Sequence, residues 1–149
     1  HRDLHSFPTR RSSDLKDIYY IGQIFGAFLL GALVGIQRER IGKAAGIRTY
    51  SLVCGGSALF TILATLSFPA DSAARIIAQI VVGIGFLGAG AIIHKEDKVS
   101  GLTTAAGMWI IAAVGMAIGL GEYFIAFLAA FFTVLVLMFN EEKFIKKNL

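Results

Sequence analysis

Gly31-Ala-Leu-Val-Gly-Ile-Gln-Arg-Glu-Arg-Ile-Gly-Lys-Ala-Ala-Gly-Ile-Arg-Thr-Tyr50 is the stretch around which the rest of the chain falls into place. It opens as the end of an apolar helix notched by Gly31 and Gly35 and turns cationic at Arg38, Arg40, Lys43 and Arg48. At Tyr50 it re-enters an apolar run. Apolar, cationic, apolar within so few residues is the signature of a chain that leaves a bilayer, turns at its surface and goes back in.

Composition agrees. Of 149 residues, 56% are hydrophobic and 16% charged, with a mean hydropathy of +0.70. A soluble domain carries about 25% charged residues. The formal net charge of +4 does not point to nucleic acid, because the basic residues sit at helix ends and not along one face. The single cysteine, Cys54, lies in an apolar run, so no disulfide forms within the chain and the residue reads as a small packing group.

Working outward, residues 1–15 differ in character from the rest of the chain. They are polar, lack the apolar core of a signal peptide and resemble the translation of a sequencing adapter. The expected organisation is therefore a non-native leader at 1–15, a transmembrane domain at 16–140 and a cytoplasmic tail at 141–149. The first span is expected from Ile18 to Ile36; about 19 residues at 1.5 Å each reach roughly 28 Å, the hydrocarbon thickness. Gly22/Gly26 and Gly31/Gly35 are each four apart, a notched face for close helix approach.

A second span is expected from Tyr50 to Phe68, stopped by Pro69. A third runs from Ile76 to Ile93, with Asp71 or Ser72 as its N-cap. His94 to Thr104 is a polar loop, and Thr103 or Thr104 caps a fourth helix from Ala105 to Leu120. Gly119-Leu-Gly-Glu122 breaks the last apolar run, leaving a lipid-facing fifth helix from Tyr123 to Phe139. One long bent helix, giving four spans, is the alternative. With five spans, Arg38, Arg40, Lys43 and Arg48 share a side with Lys95, Lys98, Lys143, Lys146 and Lys147, which makes that side cytoplasmic. The fold class is thus an all-α polytopic membrane helix bundle with short loops.

Sites of chemistry are sparse. Gly83, Gly85 and Gly88 match G-x-G-x-x-G, but they sit deep in an apolar segment with no βαβ pattern around them, so a glycine-lined helix crossing or a locally unwound helix is the better reading. No His, Cys, Asp or Glu spacing suits a metal, no nucleophile motif is present, and neither an enzyme nor a cofactor is expected. Only Gln23 and Gln79 are large and polar inside spans, so no midplane carboxylate cage for Mg²⁺ is available in one copy. Glu39 is not explained by the positive-inside rule. A pair with Lys43, an arginine–carboxylate tie between helix ends, or a docking contact would each use it.

Gly35-Ile-Gln-Arg-Glu-Arg40, Gly46-Ile-Arg-Thr49, Gly83-Ile-Gly-Phe-Leu-Gly-Ala-Gly90 and Gly101-Leu-Thr-Thr-Ala-Ala106, in that order, resemble the MgtC/SapB family. The resemblance covers nearly all of residues 18–139. It implies a bacterial inner-membrane protein linked to magnesium limitation and to virulence through intracellular survival. It further implies a regulator that restrains the ATP synthase by contact and does not itself carry Mg²⁺. The residues carried over are Arg38, Glu39 and Arg48 as a cytoplasmic contact surface, with Thr103 and Thr104 capping the fourth helix beside it. Gly31, Gly35, Gly83, Gly85, Gly88 and Gly90 would pack helices. Expected partners are the lipid bilayer, another inner-membrane protein and a second copy of the chain. A small oligomeric transporter or channel for Mg²⁺ or another small solute is the competing function.

Overall fold

The computed structural model describes residues 10–95 and 98–138. Five helices come in order: α1 (Arg10–Arg40), α2 (Ile47–Ser67), α3 (Ala70–Ala91), α4 (Leu102–Gly119) and α5 (Tyr123–Met138). Between α3 and α4 lies an antiparallel hairpin of β1 (Ile93–Lys95) and β2 (Lys98–Ser100), with His94 opposite Val99. The polar stretch expected there as a loop carries this hairpin. α1 to α4 are each long and apolar enough to cross a membrane, and α5 is a shorter apolar helix. The result is an all-α multi-pass membrane bundle with five helices. The expected leader boundary falls inside α1, which is continuous from Arg10; residues 1–9, Glu96, Asp97 and the tail with Lys143, Lys146 and Lys147 lie outside the described residues.

Two expected caps are displaced. α3 is capped by Pro69, whose carbonyl accepts the N–H groups of Ser72 and Ala73 at 2.9 Å each. Asp71 stands in the first turn, where its charge faces the positive end of the helix. α4 is capped by Gly101, at φ 91°, and not by either threonine. A side chain there is excluded twice over: φ is left-handed, and a Cβ would run into the Ala91 carbonyl.

The break between α4 and α5 is a Schellman motif. Glu122 N–H donates to the Ala117 carbonyl at 2.8 Å and Gly121 N–H to Ile118 at 3.0 Å, with Gly121 at φ 83°. The motif ends α4 sharply, so α5 folds back and packs on α4 and α1. A single bent helix is thereby ruled out. On α5 a narrow stripe, Ala126, Ala130, Thr133 and Leu137, is buried, while Phe124, Phe127, Phe131 and Phe132 face outward as expected of a lipid-facing helix.

The core is the three-way contact of α1, α2 and α4. Its largest fully buried side chains are Tyr50, Ile111, Val34, Val114, Thr61 and Cys54. Backbones approach closely here because glycine leaves room. A Cβ at Gly31 would lie 2.8 Å from Ser51 Cα, and one at Gly35 would lie 2.7 Å from Ile47 Cα. On α4, Gly115 sits against the Cys54 carbonyl and Gly119 against Ala58. Hydroxyls inside the spans turn back on their own helices: Thr61 donates to the Ser57 carbonyl at 2.8 Å and Thr133 to Ala129 at 2.7 Å. No buried hydroxyl is thus left unmet at those positions.

Candidate functional site

The basic stretch between the first two helices closes one end of the bundle. α1 ends in a second Schellman motif, with Lys43 N–H on the Arg38 carbonyl at 3.1 Å and Gly42 N–H on Glu39 at 3.0 Å. This reverses the chain within a few residues and sets α2 beside α1, with Gly35 against the start of α2.

Arg38 and Glu39 then point in different directions. Arg38 turns inward: it is 2% exposed, and its Nη2 donates to Thr104 Oγ1 at 2.9 Å. Thr104, itself buried, lies in the first turn of α4. The Tyr50 hydroxyl of α2 faces the same guanidinium and reaches the Thr104 carbonyl at 3.5 Å. Gly107, one turn further along α4, makes room for that hydroxyl, because a Cβ there would overlap it. Three helix ends are therefore joined around one buried cation. A charged hydrogen bond in so dry a place is stronger than its counterpart in water.

Glu39 turns outward and caps α2. Its Oε2 accepts the Ile47 N–H at 2.8 Å, placing a carboxylate at the positive end of a helix. Gly46 is what admits it, since a Cβ at 46 would come within 2.6 Å of that oxygen. The presence of an acid in a basic turn has a physical reason: Glu39 ties the α1 end to the α2 start through a backbone N–H and not through an arginine.

The expected contact surface is thus divided. Arg38 is not on it, because its head group is enclosed by α1, α2 and α4. Glu39 is exposed but engaged, and Arg48 and Thr103 are exposed. Arg40 and Lys43 are exposed beside them. The structure brings Arg38 and Thr104 into contact and leaves Thr103 outside.

The glycines divide too. Gly31 and Gly35 lie against the backbone of α2. A Cβ at Gly88 would stand 3.5 Å from the Ala105 Cβ, an ordinary contact, and Gly83, Gly85 and Gly90 meet nothing within 4 Å, as do Gly22 and Gly26. Those last five are not crossing points inside one chain. The glycines that pack α4 are Gly107 and Gly115, neither of them singled out above, and Gly119, expected only as part of a helix break; the spacing of four between the last two is a usable signal.

A second polar clasp sits at the opposite end. Gln23 is 4% exposed and its Nε2 donates to the Ile118 carbonyl at 2.7 Å, tying α1 to the α4–α5 turn. Among the described residues, no group of three or more His, Cys, Asp or Glu is placed to hold a metal ion.

Residues 24–144 match the model of the MgtC family. "Protein MgtC" of Salmonella typhimurium is 46% identical over 121 residues, covering 81% of this chain and 51% of that protein. "Putative magnesium transporter YhiD" of Escherichia coli is 42% identical over 128 residues, covering 80% and 59%. "Protein SrpB" of Synechococcus elongatus is 43% identical over 125 residues, covering 74% and 69%. The chain spans about half the length of the Salmonella relative. No solved structure matches it.

Proposed function

The chain belongs to the MgtC family, and from that premise we propose that it is a non-enzymatic regulator tied to magnesium limitation and intracellular survival. It acts in the bacterial inner membrane, basic end and C-terminus toward the cytoplasm, by contact with another membrane protein such as the ATP synthase. The magnesium link draws support from the name of the Escherichia coli relative. The observation that carries contact over conduction is the solid centre of the bundle. Tyr50, Thr61, Ile111 and Val114 are fully buried between α2 and α4, while the exposed cations Arg40, Lys43 and Arg48 gather on one rim. That rim stands on the Arg38–Thr104 bond, so it is presented by a rigid base.

Carriage of Mg²⁺ or another small solute by an oligomer is the second reading. It is favoured by the open glycine face of α3 and by Gln79 on the same helix. One experiment separates the two. Purified protein in liposomes is given Mg²⁺ with and without an imposed membrane potential, and Mg²⁺ entry is measured with an indicator dye. Flat traces from folded protein are expected. Saturable entry above empty liposomes would replace regulation by transport. In cells, Arg48→Ala is expected to accumulate normally and to lose activity in low magnesium. Loss of membrane accumulation would make Arg48 structural and remove it from the contact surface.

A further inference from the structure

α3 is the least enclosed of the four long helices: along its 22 residues Ala73, Ile84 and Gly88 alone are buried. Its exposed face is also unusual in content. Gln79, tenth of the 22 residues of α3 and so near mid-span, is exposed. Among the described residues nothing hydrogen-bonds to it. A primary amide with unmet donors and acceptors is strongly disfavoured in hydrocarbon. Spacings of four, three and four residues put Gln79, Gly83, Phe86 and Gly90 on one side of the helix. Phe86 is 82% exposed, more than any other large apolar side chain described. The two glycines hold no neighbour, in contrast to Gly31, Gly35, Gly107 and Gly115 in the core. An amide without a partner and hollows without a knob thus lie together.

We propose that this face of α3 is the contact surface between two copies of the chain, with the Gln79 side chains hydrogen-bonded to each other across a twofold axis. Two copies inserted in the same direction are related by an axis along the bilayer normal, so each residue meets its counterpart at the same depth. An amide is both donor and acceptor, so Gln79 satisfies itself across that axis. A lipid acyl chain offers neither group and would leave the amide as it is. Gly83 and Gly90 supply hollows for the opposing Phe86. The recess continues into a cleft of ≈ 490 Å³ between α2 and α3, bordered by Ser57, Phe60, Gln79, Gly83 and Leu87. The contact uses the face of α3 on which the transport reading rests, and its test reads association and not Mg²⁺ entry.

The test keeps Gln79 in place. In a Cys54→Ala background, Val82→Cys sits beside the proposed axis and Phe131→Cys on the outer face of α5 serves as control, since both parent side chains are exposed. Membranes are oxidised with copper phenanthroline. Val82→Cys is expected to give at least tenfold more crosslinked dimer than Phe131→Cys, and adding Gln79→Leu is expected to bring it down to the control level. Equal crosslinking at both positions would overturn the interface. So would a Val82→Cys crosslink that survives Gln79→Leu. Single-molecule photobleaching of labelled, otherwise unmutated protein in liposomes gives a second readout. Two-step traces are expected at dilutions where random co-occupancy gives one, and single-step traces throughout would refute the dimer even if a variant fails to fold.

Discussion

Replacing Thr104 by valine asks how much the buried guanidinium of Arg38 relies on α4. The two side chains, Arg38 and Thr104, are 2% and 3% exposed and their bond is 2.9 Å long. Valine has nearly the shape of threonine and a similar helix propensity, so neither a cavity nor a backbone term enters. What is lost is one hydrogen bond to a charged donor, worth about 1.5–3 kcal/mol. A central loss of about 2 kcal/mol corresponds to roughly a thirtyfold shift in the folding equilibrium. The assay is reversible unfolding in mixed micelles by SDS titration, run as a double-mutant cycle with Arg38→Met. Each single change is expected to destabilise. The double should cost less than the sum by about 1.5–3 kcal/mol, because valine facing methionine leaves no stranded charge. A Thr104→Val protein within about 0.5 kcal/mol of the parent, or strict additivity of the pair, would refute the clasp.

Glycines with a close neighbour and glycines with none should respond differently to a methyl group. Gly115→Ala pushes that methyl into the Cys54 carbonyl and within 3.0 Å of Ser57 Cβ; prising α2 from α4 should cost about 1–3 kcal/mol. The same exchange at Gly85 enters empty space and should be neutral or stabilising by up to about 1 kcal/mol, so equal losses at both sites would contradict the packing described. Gly101→Ala meets both the left-handed φ and the Ala91 carbonyl, and a loss of at least about 1 kcal/mol is expected. Trp109, the one tryptophan, lies two turns into the helix that Gly101 starts, so its fluorescence reports that unfolding directly.

Much of the architecture is legible in the sequence because it is written locally. Apolar runs, Pro69 and the Gly119–Glu122 break mark α2, α4 and α5 within three residues at both ends, whereas α1 begins at Arg10 and α3 at Ala70, well before the expected Ile18 and Ile76, because their polar first turns are helical too. The basic stretch after the first helix reads as a turn, and it is one. Caps are harder to read. Asp71, Ser72, Thr103 and Thr104 have side chains suited to bonding backbone N–H groups, whereas the backbone geometry of Pro69 and Gly101 takes the cap positions. Glu39 shows the same limit from the other side: it caps α2 from eight residues upstream, a contact that exists only once the chain has reversed.

Sequence alone determined the order of the apolar helices and the family to which the chain belongs, because hydropathy, helix breakers and motif order are properties of neighbouring residues; the choice of five helices over four with one long bent helix came from the turn at Gly121. Tertiary structure alone decided which of them carry the fold. Gly115 and Gly85 look alike in the sequence, and one is wedged against a backbone while the other faces open space. Arg38 and Arg48 look alike as well, and one is enclosed while the other is exposed. The difference is the rotation of each helix about its own axis, set by contacts such as that between Arg38 and Thr104, 66 residues apart, and no local pattern encodes it.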